Sequence, residues 1–413
     1  MNGKNIIVLD IEIGKMERYR RRKMIRSILD SDLYKFSMQA AVAKLYPNAE
    51  VRYSFFNRGK TQFPRGFGTK LKREVEKLAE LSLQRDEEEF LRKRCPFLSP
   101  VYIDLLRGYQ FNPDEVHIEQ TNGDIKIDIE GYWYRTILWE VPLMALISEL
   151  YFDVSTRARS KFSGPELYDL HEAKAKKFEL LGVKLADFGT RRRYSYENHY
   201  DVVDAFKMYA KNSFVGTSNV HLAHQFDIKP IGTQAHEWFM FHAAKYGFHQ
   251  ANSTALGRWV DVYNGDLGIA LTDTFTTNDF FRSFDMFYAK LFDGVRHDSG
   301  DPIQFGLRAV NHYERLGIDP LTKTLVFSDG LNYDEVARIE QSMKGAVRTS
   351  YGIGTWLTND IPDVTPLNMV IKMTAAKPAG IKGWIPTIKL SDVEGKHTGD
   401  KNMIKLAKAV LSL

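Results

Sequence analysis

One pattern repeats through the middle of the chain. A short apolar run ends in a turn rich in Gly, Ser, Thr or Asp, and an amphipathic helical stretch follows. The turns are Asp187-Phe-Gly-Thr-Arg191, Phe214-Val-Gly-Thr-Ser218, Ile231-Gly-Thr-Gln-Ala-His236, Leu271-Thr-Asp273-Thr274, Val295-Arg-His-Asp298-Ser-Gly-Asp301, Val326-Phe-Ser-Asp329-Gly330 and Tyr351-Gly-Ile-Gly354-Thr355. They recur at roughly 20 to 40 residues, the length of a βα unit. About seven such units predict an irregular α/β barrel-like domain over residues 181–360. In folds of this kind the polar residues at the carboxyl ends of the strands face one mouth, where the chemistry sits.

The flanks read differently. Residues 24–180 mix helical segments (Tyr34 to Leu45, Thr69 to Leu83, Glu87 to Lys93) with the strand-like Val51-Arg-Tyr-Ser-Phe-Phe. Asn122-Gly123 between two alternating runs predicts a tight hairpin. The long apolar run from Thr136 to Phe152 carries Glu140, Pro142 and Glu149, which predicts a helix pair or a kinked helix and no membrane span. Residues 361–413 give strands (Asn368 to Met373, Ile385 to Leu390) and a basic terminal helix (Asn402 to Leu411). These strands are predicted to return to the N-terminal segment. The fold class is therefore α/β, with a discontinuous α+β domain built from residues 24–180 and 361–413.

Composition narrows the class. At 413 residues, 44% apolar and 26% charged, the chain has the balance of an ordinary globular protein. A net charge of +5 suits anionic small substrates, and no aromatic-interleaved basic stripe points to nucleic acid. The single cysteine, Cys95, excludes an internal disulfide and fits a reducing, cytoplasmic setting. Residues 1–23 are Arg-rich, lack a secretory pattern and read as an extension that contributes little to the fold. The same arginines are the basis of a rival reading, a basic nucleic-acid-binding protein.

The turns suggest chemistry. His236 stands where an apolar segment meets a helical run, and a ring nitrogen there can act as nucleophile or proton carrier. Gly352, Gly354 and Thr355 resemble a phosphate cradle ahead of a helix start. Asp329 beside Gly330 suits ribose hydroxyls. Arg296 can grip a carboxylate or pyrophosphate, and Asp298 and Asp301 can hold Mg²⁺. Two look-alikes fail. Asp187-Phe-Gly lacks the other kinase motifs, and His236-Glu237 with His242 has the wrong spacing for a zinc His-Glu-x-x-His. His221 and His224, three apart, read as a packed or solvated helix face.

Taken in order, Phe-Gly-Thr-Arg-Arg-Arg (188–193), Phe-Val-Gly-Thr-Ser-Asn (214–219), Gly-Thr-Gln-Ala-His-Glu-Trp (232–238), Arg-His-Asp-Ser-Gly-Asp-Pro (296–302), Phe-Ser-Asp (327–329) and Tyr-Gly-Ile-Gly-Thr (351–355) closely resemble nicotinate phosphoribosyltransferase, from Ile28 to about Lys396. The resemblance implies transfer of phosphoribosyl from phosphoribosyl pyrophosphate to nicotinate in NAD salvage, with ATP hydrolysed through a phosphohistidine that matches His236. It implies a pyridine ring between Phe188 and a Tyr34 supplied by the partner subunit of a homodimer. It places Arg191 and Arg296 on substrate, and Asp273, Asp298 and Asp329 near ribose and magnesium. Gly352, Gly354 and Thr355 match the 5′-phosphate site, and Arg58, Lys372, Lys389 and Lys396 match cations for ATP or pyrophosphate. Ser218 stands where the related nicotinamide enzyme has an aspartate, so the acid is the expected substrate. The alternatives are a nicotinamide or quinolinate phosphoribosyltransferase, or a relative without activity.

Overall fold

A computed structural model of the chain describes residues 23–155, 158–393 and 396–413. The expectation for residues 1–23 falls, apart from Lys23, outside them. In the N-terminal part, α1 (Leu33–Leu45) precedes β1 (Glu50–Asn57), and α2 (Arg85–Arg94) precedes the hairpin β2 (Val116–Thr121) and β3 (Asp124–Tyr132). Thr121 pairs with Asp124 across the turn. Asn122 (φ 49°) and Gly123 (φ 86°) are both left-handed, as a two-residue primed turn requires. The apolar run forms a short helix, Trp133–Thr136, and then α3 (Glu140–Val154). Pro142 sits in the first turn of α3, where a backbone N–H has no intrahelical acceptor.

The middle of the chain supplies β4 (Leu185–Asp187), α4 (Tyr196–Tyr209), β5 (Phe214–Thr217), α5 (Val220–Gln225), α6 (His236–Tyr246), β6 (Ile269–Leu271), β7 (Gly294–His297), α7 (Pro302–Arg315), β8 (Thr324–Phe327) and β9 (Arg348–Ile353). The C-terminal segment adds β10 (Met369–Lys377), β11 (Ile385–Pro386) and α8 (Lys401–Leu411). Two sheets result. One is antiparallel, in the order β11-β10-β1-β3-β2, and so joins both ends of the chain. The other is parallel, in the order β5-β4-β9-β8-β7-β6. Six of the seven apolar runs are strands of this sheet. The seventh, at Pro230-Ile231, joins it through a single parallel bridge from Thr217 to Pro230, because a proline has no N–H for a longer ladder.

The C-terminal strand is shorter than Ile385 to Leu390. Pairing with β10 stops at Pro386. The chain then crosses to the parallel layer, where the Leu390 amide donates to the Thr274 carbonyl (2.8 Å). That crossing carries Lys389 into the mouth of the parallel sheet. Beneath α6 lies an aromatic cluster in which Trp133 and Phe241 have ring centroids 4.3 Å apart, and Trp238 is fully buried. Truncating such a side chain costs about 3–5 kcal/mol, so the helix that begins at His236 starts from a firm base.

Candidate active site

The carboxyl ends of the parallel strands and one face of β10 enclose a cleft of ≈ 560 Å³, within the range of small-molecule sites. Its walls include Tyr34, Arg58, Phe188, Arg191, Ser218, His236, Arg296, Asp298, Asp329, Gly354, Thr355, Lys372, Lys389 and Lys396. Asp273 is fully buried beneath this wall and is ion-paired to Lys389 at 2.9 Å.

At one end, Phe188 follows β4 in a loop held by Asp187. One carboxylate oxygen of Asp187 accepts from Thr217 and contacts the His199 ring, each at 2.6 Å, and the other accepts from the Gly189 amide (2.8 Å). Tyr34 opens α1 in the same chain. The Leu33 amide beside it donates to the Ser218 carbonyl (2.8 Å), and the Arg191 guanidinium lies 5.9 Å from the Tyr34 ring. The aromatic that the resemblance drew from a partner subunit is thus present in its own chain's cleft, because α1 packs directly onto the loop after β5.

Asp32 was not foreseen. It stands where a helix N-cap would, yet it makes no side-chain cap to α1. Its carboxylate instead accepts from Ser218 Oγ at 2.8 Å and lies 3.8 Å from Arg191. Burial raises its pKa, and Arg191 opposes that rise. Behind this wall Lys35 is fully enclosed, with its ammonium 2.5 Å from both Glu140 and Glu237. Glu237 also accepts from the Tyr53 hydroxyl (2.6 Å), and Glu140 lies 3.6 Å from Arg191.

At the other end, His236 is the first residue of α6. Its Nδ1 meets Thr274 Oγ1 at 2.9 Å, while Nε2 lies 2.8 Å from the Lys389 ammonium and 2.9 Å from Asp298. Burial and the Lys389 charge push the imidazole down to about 4, against the opposing pull of Asp273 and Asp298. It is therefore neutral near pH 7. With the proton on Nδ1 and donated to Thr274, Nε2 keeps its lone pair and accepts from Lys389, the state a nucleophile needs. Burial would raise Asp298, but the Lys389 and Arg296 charges and the adjoining His236 ring outweigh it and hold the carboxyl well below the usual range.

Arg191, Lys389 and Lys396 are ion-paired, but other cations of the cleft have no such partner among the described residues. Arg296 forms no ion pair among the described residues, and its Nε is buried without an acceptor. Lys372 alternates with the core residues Ile371 and Met373 along β10 and so faces the cleft. Burial, with Lys389 and Arg58 nearby, lowers it to about 8. Arg192, which the sequence reading passed over although it lies in an Arg-Arg-Arg run, lines the same wall and is pushed down to about 10 by burial and by Arg191 and Arg58. Lys396 pairs with Asp329 at 3.2 Å near the rim. An orphaned buried arginine donor and a lysine held down by burial and neighbouring cations suit a site that receives anions.

Two expected residues lie elsewhere. Asp301 caps α7, accepting from the Gln304 amide (2.8 Å), and lines a separate pocket with Arg308 and Asp392. The Asp-Pro pair is a helix-start signature, and it claims the carboxylate that had been assigned to magnesium. Gly352 is not on the cleft wall. A Cβ there would stand 2.3 Å from the Phe188 ring, so its absence lets that ring lie flat on β9. Gly354, by contrast, does border the cleft. The oxygen donors that remain for a cation are those of Asp298 and Asp273, whose Oδ1 is buried without a hydrogen bond. Ligand atoms of His236, Asp273 and Asp298 lie within 4.8 Å of one another. Hard carboxylate oxygens of this kind fit Mg²⁺.

The mouth of the parallel α/β layer thus joins Tyr34 and Phe188, the turn at Gly354 and Thr355, and a cation-flanked neutral histidine in one cleft, an arrangement suited to a phosphorylated substrate. Comparison with known proteins gives the family. Residues 29–148 match the nicotinate phosphoribosyltransferase (NAPRTase) N-terminal domain, and residues 183–413 match the nicotinate phosphoribosyltransferase (NAPRTase) family. The nicotinate phosphoribosyltransferase of Chromohalobacter salexigens is 54% identical over 391 residues, covering 94% of this chain and 99% of that protein. That of Desulforapulum autotrophicum is 53% identical, covering 91% and 96%. The crystal structure of the Porphyromonas gingivalis nicotinate phosphoribosyltransferase superposes with a TM-score of 0.90 at 43% identity, covering 94% of this chain and 100% of that one. The chain belongs to the nicotinate phosphoribosyltransferase family. Membership implies use of ATP and Mg²⁺. Among the described residues no helix is long and apolar enough to cross a membrane.

Proposed function

We propose that this chain transfers the phosphoribosyl group of phosphoribosyl pyrophosphate to the ring nitrogen of nicotinate, giving nicotinate mononucleotide and pyrophosphate, and drives the transfer with ATP through phosphorylation of His236. The observation that carries this reading is the convergence on one cleft of an aromatic end with unpaired arginine and a neutral, lysine-contacted histidine. On this reading Tyr34 and Phe188 flank the pyridine, and Arg191 and Arg296 meet its carboxylate or a nearby phosphate. Gly354 and Thr355 receive the 5′-phosphate, and Asp329 serves the ribose side, with Asp273 behind it on the metal side. As the C1–oxygen bond breaks, positive charge builds on ribose and negative charge on pyrophosphate. Arg58, Lys372, Lys389 and Lys396 stabilise the departing charge, while stacking holds the nitrogen in line. In the ATP step Nε2 of His236 attacks the γ-phosphorus, the bond to the β–γ bridging oxygen breaks and ADP leaves; water later releases phosphate and regenerates the imidazole. Asp298 and Asp273 would hold Mg²⁺, which when bound neutralises phosphate charge.

The domain limits that suit this site are 24–180, 181–360 and 361–413, the last completing the sheet of the first. Tyr34 borders the same cleft as Phe188 and His236 in one chain, so on this reading each chain carries a complete site. Mixing inactive Tyr34→Ala and His236→Ala chains under proven subunit exchange should restore no ATP-coupled activity. Recovery would place Tyr34 in a neighbour's site.

Substrate choice is tested at Ser218. An aspartate at this position, beside Asp32, would repel the carboxylate of nicotinate, which serine does not. Ser218→Asp should therefore weaken nicotinate use by more than about tenfold, or roughly 1.4 kcal/mol. Unchanged kcat/KM for nicotinate would remove Ser218 from the selectivity of the site.

A further inference from the structure

Away from the cleft, three metal-type side chains meet between α2 and α5. Glu87 lies in the first turn of α2 and is 4% exposed; His221, on α5, is 8% exposed. His224 lies one helical turn further on, so both rings project from one face of α5. One ligand atom from each of the three lies within 4.8 Å of the others.

The details are those of a built site. His221 turns its Nε2 to the Tyr196 hydroxyl at 3.1 Å. Its Nδ1 is buried without a hydrogen-bond partner and points at Glu87 Oε1, 3.6 Å away. That gap is too long for a hydrogen bond. It is close to the roughly 3.3 Å that separates two donors on a tetrahedral zinc with bonds of about 2.0 Å. Glu87 is oriented in turn, accepting from Ser27 Oγ at one oxygen and from the Gln84 amide (3.0 Å) at the other. Each oxygen keeps a second lone pair. The His224 ring rests edge-on against Phe90, with centroids 5.2 Å apart, and the exposed Asp86 lies 3.6 Å from its Nε2. Fixing a ligand's far side while its near side stays free is what the outer shell of a metal site does.

We propose that Glu87, His221 and His224 bind a divalent transition ion of the zinc class, with Asp86 or water at the fourth position. Two imidazoles and one carboxylate suit Zn²⁺, Co²⁺ or Ni²⁺ better than Mg²⁺. The ion would act as a staple. Val220 and His221 amides already donate to the Ser31 and Leu29 carbonyls (2.9 and 2.8 Å), so α5 carries the segment that leads into Asp32. Metal at this point would tie that segment and the Ser218 loop to α2. The site is independent of the reaction proposed above.

The test uses the full chain, stripped with EDTA and freed of chelator, and titrated with ZnCl₂ by calorimetry and with CoCl₂ by visible absorption. The proposal expects one equivalent bound with tetrahedral Co²⁺ bands and a raised Tm. In His224→Gln, affinity should fall at least about tenfold while nicotinate mononucleotide formation by the zinc-free protein, assayed with Mg²⁺, matches wild type. His236→Ala should keep the equivalent, because that histidine lies in the other cluster. Absence of binding, binding unchanged in His224→Gln, or binding lost in His236→Ala would each overturn the assignment.

Discussion

His236→Ala should abolish ATP stimulation and all acid-labile phosphorylation of the chain, while slow ATP-independent transfer survives. Nε2 of His236 has both a lone pair and a neighbouring ammonium, Lys389 at 2.8 Å, to draw in a phosphate. Alanine removes the nucleophile outright, and losses of this kind run to several orders of magnitude. The cleft walls at Tyr34, Phe188, Gly354 and Thr355 do not depend on the ring, which is why the uncoupled reaction is expected to persist. The pH profile gives a second check. Burial lowers the imidazole to about 4, so the neutral form dominates above that value and is lost only as pH falls through it. Phosphorylation should therefore stay level from neutral pH to about 5, where a free histidine near 6.5 would already have titrated. Undiminished coupling in His236→Ala, measured as product formed per ATP, would remove the residue from its role.

Arg296→Leu should lower kcat/KM for nicotinate by about a hundredfold and leave Tm no lower than wild type. The two results belong together. Arg296 has no ion pair among the described residues, and its Nε is buried without an acceptor, which costs the free protein about 1–3 kcal/mol. Leucine relieves that cost. A hydrogen bond to a charged ligand contributes about 1.5–3 kcal/mol, and that is lost. Arg296→Lys should recover little, since one ammonium cannot present a planar fork to a carboxylate or phosphate. A sharp fall in Tm with unchanged kinetics would make Arg296 a structural residue.

The parallel strands and their turns were legible because each apolar run ends in residues that stop a strand for backbone reasons, and chemistry collects at those ends. His236, Arg296 and Asp329 could be read in this way. The Asn122-Gly123 hairpin was legible for a local reason too, the left-handed turn. What the pattern could not carry was contact between distant segments. Lys389 reaches His236 only because pairing with β10 breaks at Pro386. Lys35 sits between Glu140 and Glu237, more than a hundred residues apart in one case and two hundred in the other. Asp32 behind Ser218 depends on α1 docking against the loop after β5. The same docking brings Tyr34 into its own chain's cleft, where a family pattern alone had suggested a second subunit. Asp301 and Gly352, which do not line the cleft, show the opposite case. Their local signals were real, a helix cap and a close backbone approach, and each also fitted the chemistry being sought.

ATP-coupled nicotinate transfer is measured most directly as pyridine mononucleotide formation from phosphoribosyl pyrophosphate and Mg²⁺. Nicotinate and nicotinamide are offered side by side, each with and without ATP. Product should form from nicotinate alone, in greater amount with ATP. Product from nicotinamide, or a nicotinate reaction indifferent to ATP, would contradict that expectation.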